Sequence, residues 1–223
     1  LFGLQVMSDR GFLADPANRE ALAMAVDRDA LIAPFGVDGW KATALLVPRG
    51  LEGDADAGGD RWPEMTMDSR RALAASRVLR WQQTREAEDR NVRLAIWLPQ
   101  GPGADILFER VARDFAAIGV TARRAAPREA GDLRFVDIVS RYPRASWFLN
   151  RFNCRIREGL CEPLADSKLD QARASEDMAA RAALVAEAEQ LLTEANVFVP
   201  FGSPIRWALV RGDVIGFSTN SWG

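Results

Sequence analysis

Between residues 92 and 125 the chain spells a strand, a helix and a second strand, and this unit limits the fold more than any other stretch. Val92 to Leu98 (Val-Arg-Leu-Ala-Ile-Trp-Leu) is an apolar, strand-like run ended by Pro99-Gln100-Gly101-Pro102-Gly103. A helix is predicted over about 104–117, with Ile106, Leu107, Val111 and Phe115 on one face. Gly119 stands where a C′ glycine belongs, and Val120 to Ala125 alternates as a strand does. Two strands joined by a helical crossover lie parallel, with a right-handed connection.

The rest of the chain repeats the alternation. Residues 1–8 and Leu133 to Val139 read as strands, and Val197 to Val210 as strand-like but broken by Pro200 and Pro204. Asp15-Pro16 marks a helix start, with Asp as N-cap and Pro at the first position. Leu22, Val26 and Leu31 carry that helix to about Ile32, where Pro34 and Gly36 stop it. Residues 36–66 have no period and read as a long surface excursion. Asp68 can cap a helix to about Ala87 with Leu73, Val78 and Leu79 inward. Residues 140–165 look irregular. Helices follow over 166–174 and 176–195, the second with Ser175 as a plausible N-cap and Leu184, Val185, Ala188, Leu191 and Leu192 at helical spacing. The expected class is α/β, a mixed sheet flanked by helices.

Composition narrows the chemistry. With 48% hydrophobic residues the 223-residue chain is too apolar for disorder, and long enough to bury roughly 70% of its unfolded surface. The formal charge of −2 carries no nucleic-acid footprint. Histidine is absent, which removes the commonest general base and metal ligand, and with it zinc hydrolysis and Ser-His or Cys-His catalysis. No metal or cofactor is expected. No apolar run reaches the ~20 residues that span a bilayer. The chain begins at Leu1 without an initiating Met and stops at Ser221-Trp222-Gly223. It reads as a piece of something longer.

Gly101-Pro102-Gly103 fits neither phosphate-binding glycine pattern and reads as a tight turn. Cys154 and Cys161 enclose six residues, which excludes a CxxC motif. They are either a disulfide closing a small loop or two buried thiols, and an oxidising compartment favours the first. Tyr142, Trp147, Phe148 and Phe152 stand among Arg141, Arg144 and Arg151. Such a group is a satellite of the core under a loop, or the wall of a ligand cleft, where flat apolar surfaces meet a few donors.

Several segments resemble the family 5 extracellular solute-binding proteins, which serve ABC importers of dipeptides, oligopeptides and nickel. Asp15-Pro16-Ala17-Asn18-Arg19-Glu20-Ala21-Leu22 through Ala25-Val26-Asp27-Arg28 is similar to the family's D-x-x-V-R-x-A-L-x-x-A-I-D-R, with Asn18 replacing Val. Val47 to Leu51, Phe115 to Val120, Asp166 to Ala172, Arg181 to Pro200 and Gly216-Phe217 match further family segments in order. The resemblance implies one α/β lobe over 1–223 of a two-lobed, type II periplasmic binding protein, with 211–223 heading back toward the hinge and the first lobe missing. It implies a monomer that holds a short peptide or small molecule and docks on ABC permease subunits. It also implies that Cys154 and Cys161 pair.

Ser140 to Leu149 resembles the family's A-D-Y-P-D-P-x-x-F-L, whose first Asp holds the ligand's α-ammonium in peptide-binding members. Here Arg141 and Arg144 replace both aspartates. Two cations in place of two anions disfavour an ammonium and favour a carboxylate or phosphate. The expected ligand-binding set is Arg141, Tyr142, Arg144, Trp147 and Phe148. The competing readings are a ligand-sensing or scaffold lobe without transport, and a carboxylate-based α/β enzyme. Against the enzyme stands the absence of histidine and of a nucleophile elbow.

Overall fold

In a computed structural model of the chain, residues 1–51, 61–205 and 209–212 are described. The middle layer is a five-stranded sheet in the order β4 (Thr121–Arg124), β3 (Arg93–Trp97), β5 (Leu133–Asp137), β1 (Phe2–Val6) and β6 (Phe198–Pro200). β3 is parallel to β4 and to β5, as the crossover unit predicts. β1 is antiparallel to β5 and to β6, so the sheet is mixed. Four strands therefore share one direction, and their carboxyl ends line one edge beside the start of β1. There Phe2 faces Asp137 across the ladder, and the Leu1 amino nitrogen donates to the Ile138 carbonyl at 2.7 Å.

Strand alternation sorts the core into two layers. Leu4, Val6, Leu94, Ile96, Leu133, Phe135 and Val199 pack with α1 (Pro16–Ala25), α3 (Met67–Gln83) and α4 (Pro102–Ala116). Val136 and Phe198 pack with α5 (Ala145–Leu149), α6 (Pro163–Ala174) and α7 (Met178–Glu194). Gly3 sits beneath the second layer, where a side chain would run into the Val199 carbonyl and the Phe198 ring.

The structure redraws several predicted boundaries. The helix expected from Asp15 to Ile32 is two helices, because the chain extends at Val26 and Asp27 caps α2 (Arg28–Ile32) by accepting from the Ala30 amide. Asp114 on α4 holds the break by accepting from the Asp27 amide at 2.9 Å and from Arg71 at 2.5 Å. Burial raises the Asp114 carboxyl above its ordinary range in spite of those bonds. Arg28, 5% exposed, closes the break by donating to the carbonyls of Ala23, Val26 and Pro200.

The third helix starts at Met67, capped by Thr66, and it is rotated from the expectation: Ala74 and Val78 are buried, while Leu73 and Leu79 are exposed. Its inner face carries arginine. Arg71 reaches Asp114, and Arg77 reaches Glu20 and the Ala17 carbonyl. The 36–66 excursion is partly core, since Ala44, Leu46, Val47, Leu51 and Trp62 are buried. Residues 140–165 hold α5 and a 3-10 turn, Asn150–Phe152. Asp177, not Ser175, caps α7. Among the described residues the late strand consists of β6 and a short β7 (Gly202–Ser203), which pairs with β2 (Lys41–Ala42). Gly216-Phe217, and the return from 213 onward, lie outside the described residues.

Cys154 and Cys161 form a disulfide with Cα atoms 5.2 Å apart. The loop it closes lies against β1. Leu160 donates its amide to the Val6 carbonyl, and the buried Gln5 side chain donates to the Glu158 carbonyl. Gly159 has φ +83° and packs so closely on Val6 that a Cβ there would stand 2.7 Å from its carbonyl oxygen.

Candidate functional site

β5 ends at Asp137, and the chain crosses the carboxyl edge of the sheet through residues 138–144 before entering α5. Ligands of open α/β sheets bind outside this edge. Here it carries a pocket of about 170 Å³. Phe2, Leu46, Ile138, Phe148 and Phe198 supply apolar wall, and Thr43, Ser140 and Ser203 bring hydroxyls. Hydrogen bonds fix the frame. The Thr43 amide donates to Phe201, the Leu45 amide to the Thr43 hydroxyl, and the Val47 amide to Glu189 on α7 at 3.1 Å. No Asp, Glu, Lys or Arg is among the described residues that line the pocket. It can bury an apolar group and meet a few hydrogen bonds, and its described lining offers no side chain that transfers a proton near neutral pH.

The residues expected to bind ligand are spread over three neighbouring places. Phe148 is buried, lies edge-on to Trp147 at 5.1 Å, and forms part of the pocket wall. Arg141 and Tyr142 are exposed, Tyr142 at 62%, and with Trp147, Arg151 and Asp137 they line a shallow cleft outside the pocket. Arg151 pairs with Glu158 at 3.3 Å. Arg144 is the N-cap residue of α5, and besides a depression shared with Tyr142 and Trp147 it lines another with Arg173 and Arg181. Arg141 thus lines the cleft and Arg144 the two depressions, with Tyr142 and Trp147 common to the cleft and the first depression.

Sequence reasoning missed Thr43, Leu45, Leu46 and Pro48, which form one side of the pocket. The run Ala42-Thr43-Ala44-Leu45-Leu46-Val47 was the available signal, since six such residues before a proline suit a buried segment better than a solvated loop. Phe198 and Gly202 to Pro204 were read as late strand and not as site.

No family model matches the chain. It is 24% identical over 234 residues to a "Probable di/tripeptide-binding protein 5" of Pseudomonas aeruginosa (strain UCBPP-PA14), across 95% of this chain and 42% of that protein. Among solved structures, the OppA of Burkholderia pseudomallei superposes with a TM-score of 0.78 at 21% identity, over 90% of this chain and 42% of that one. NikA from Brucella suis, solved with Fe(III)-EDTA, gives 0.73 at 21%, over 90% and 44%. The chain thus spans about two-fifths of the length of these relatives, the span of a single lobe. It has the fold of one lobe of the family 5 extracellular solute-binding proteins, the family its sequence segments resemble.

Proposed function

We propose that the chain is the ligand-holding lobe of a periplasmic solute-binding protein that serves an ABC importer, and that it does no chemistry on its ligand. One observation carries this reading: the pocket at the carboxyl edge of the sheet is apolar, rimmed by hydroxyls, and has no proton-transferring side chain among its described lining residues. The relatives' names point the same way, one to di- and tripeptides and one to a metal chelate. The ligand's other face would meet a second lobe. Closure of the two lobes on it would give the permease subunits a distinct shape to recognise.

Arg141 is the rim residue that selects for charge. It is exposed beside Tyr142 and Trp147, and it makes no hydrogen bond or ion pair among the described residues. A ligand with an anionic group gains a guanidinium partner there, and a free α-ammonium meets repulsion. Calorimetry on the full-length protein with alanyl-leucine and N-acetyl-alanyl-leucine tests this. The acetylated peptide is expected to bind more tightly, and Arg141→Asp to weaken it at least tenfold, as follows from roughly 1.5–3 kcal/mol for a charge-assisted bond. A strict requirement for the free ammonium, or unchanged affinity in a folded Arg141→Asp protein, overturns the charge preference.

A further inference from the structure

A second depression, of about 290 Å³, lies where α5 meets the tip of the α6–α7 hairpin. Arg173 stands in the last turn of α6 and Arg181 in the first turn of α7, and Arg144 joins them from the N-cap of α5. Leu169 and Val185 make a buried apolar floor. We propose that this depression binds a phosphate-type oxyanion, carried either by free inorganic phosphate or by a phospholipid headgroup.

The arrangement of charge carries the inference. Three guanidiniums line the depression, and no carboxylate does among its described lining residues. Several of the chain's arginines close tightly onto an acid elsewhere: Arg71 onto Asp114, Arg77 onto Glu20, Arg123 onto Glu129, Arg124 onto Asp105. Here Arg173 has an acid as well, but Asp170 is divided between Arg173 at 2.7 Å and Arg155 at 3.2 Å, and neither it nor Asp177, the cap of α7, is among the described residues that line the depression.

The Arg173 and Arg181 forks are held in place without being used up. Arg173 donates to Asp170 and to the Asn150 amide oxygen, and Arg181 donates to the Ser175 carbonyl at 2.6 Å. A guanidinium has five N–H donors, so both keep donors to spare. Fixed donors lose little entropy when an anion arrives, and an apolar floor strengthens each charge-assisted bond above it. Ser146 and Asn150 on the α5 wall add neutral hydrogen-bonding groups. A tetrahedral oxyanion can take donors from the α5, α6 and α7 sides at once, whereas a planar carboxylate offers two oxygens in one plane.

The site is separate from the solute pocket, so its failure leaves the solute reading standing. The test is run on the full-length protein with two probes: calorimetric titration of inorganic phosphate, and co-sedimentation with phosphatidylcholine vesicles with and without phosphatidylglycerol. Saturable phosphate binding alone assigns the free anion, and retention only by vesicles that contain phosphatidylglycerol assigns the headgroup. Either result supports the proposal if Arg181→Gln, at an unchanged melting temperature, weakens it at least tenfold. Arg173→Gln serves as the second variant should the first not fold. Absence of binding to both probes, or equal binding by the folded variants, overturns it.

Discussion

Arg19 offers the sharpest test of how this fold is held together. Its side chain is 4% exposed, and all its bonds go to carbonyl oxygens. Nη1 donates to Leu13 at 2.6 Å and Ala14 at 3.1 Å, just before α1, while Nε and Nη2 both donate to Ala195 at the carboxyl end of α7. One guanidinium therefore joins helices that pack in the two different layers. Burial lowers its pKa, an effect that Asp15, Asp9 and Glu162 oppose. Arg19→Met keeps the aliphatic length and removes every donor. The bonds are charge-assisted, about 1.5–3 kcal/mol each, but the variant also escapes the cost of burying the charge. What remains is the loss of donors to three carbonyls, for a net destabilisation of about 2–4 kcal/mol. In a protein of this size that lowers the melting temperature by about 5–15 °C. Urea unfolding followed by tryptophan fluorescence measures it, and an unchanged m-value assigns the loss to the native state. Arg19→Lys is expected to recover less than half, because one ammonium cannot span two groups of acceptors on opposite sides. A loss below about 1 kcal/mol for Arg19→Met would refute the reasoning.

Two further predictions probe the surface. The Arg123 guanidinium and the Ala126 amide hold the Glu129 carboxyl down at about 2, so the native state is favoured above the ordinary value of 4.5 and that contribution is lost as pH falls toward 2. Glu129→Gln should flatten the fall of the urea midpoint over that interval, and parallel curves for wild type and variant would count against it. The disulfide closes a loop with sequence separation 7, and replacing both cysteines by serine should cost at most about 2.5 kcal/mol. Thiol titration of the oxidised, denatured protein should find none free, and two titrating thiols would sink the pairing.

The elements that could be read from sequence are those whose local signals agree with their packing. In β3 and α4 the apolar period falls on buried residues such as Leu94, Ile96, Leu107, Val111 and Phe115, and Gly119 at φ +86° turns the chain from the helix into β4. In α3 they do not. Leu73 and Leu79 are the apolar residues that catch the eye, yet the inner face is Ala74, Val78 and two arginines whose heads find Asp114, Glu20 and backbone carbonyls. A hydropathy pattern counts those arginines as solvated, and only tertiary partners invert that. The helix break at Val26 was marked by a local sign, Asp27 three residues before the Ala30 amide it caps, but that sign lay inside an uninterrupted apolar period that outweighed it. The pocket was harder still. Its walls come from residues 1–2, 43–48, 138–148 and 198–204, and only the sheet register brings them together.

The segment that carries the family resemblance has a physical role of its own. Asp15 caps α1, Asp27 caps α2, and Arg19 and Arg28 each bind carbonyls that the helix breaks and strand ends leave exposed. None of the four lines the pocket. The segment is therefore machinery for building this lobe, and likeness in it transfers the fold without transferring the ligand. On the proposed reading the ligand meets the pocket and its rim, where Arg141 stands at the place of an aspartate in the family segment it resembles. Because Arg141 is exposed and bonded to nothing among the described residues, that exchange of charge breaks no bond that the fold depends on. Stability constrains the first segment, and on the proposed reading Arg141 answers to the ligand instead. Charge at the rim can thus change sign while the lobe stays the same, and a relative that binds peptides is a guide to this chain's shape before it is a guide to its cargo.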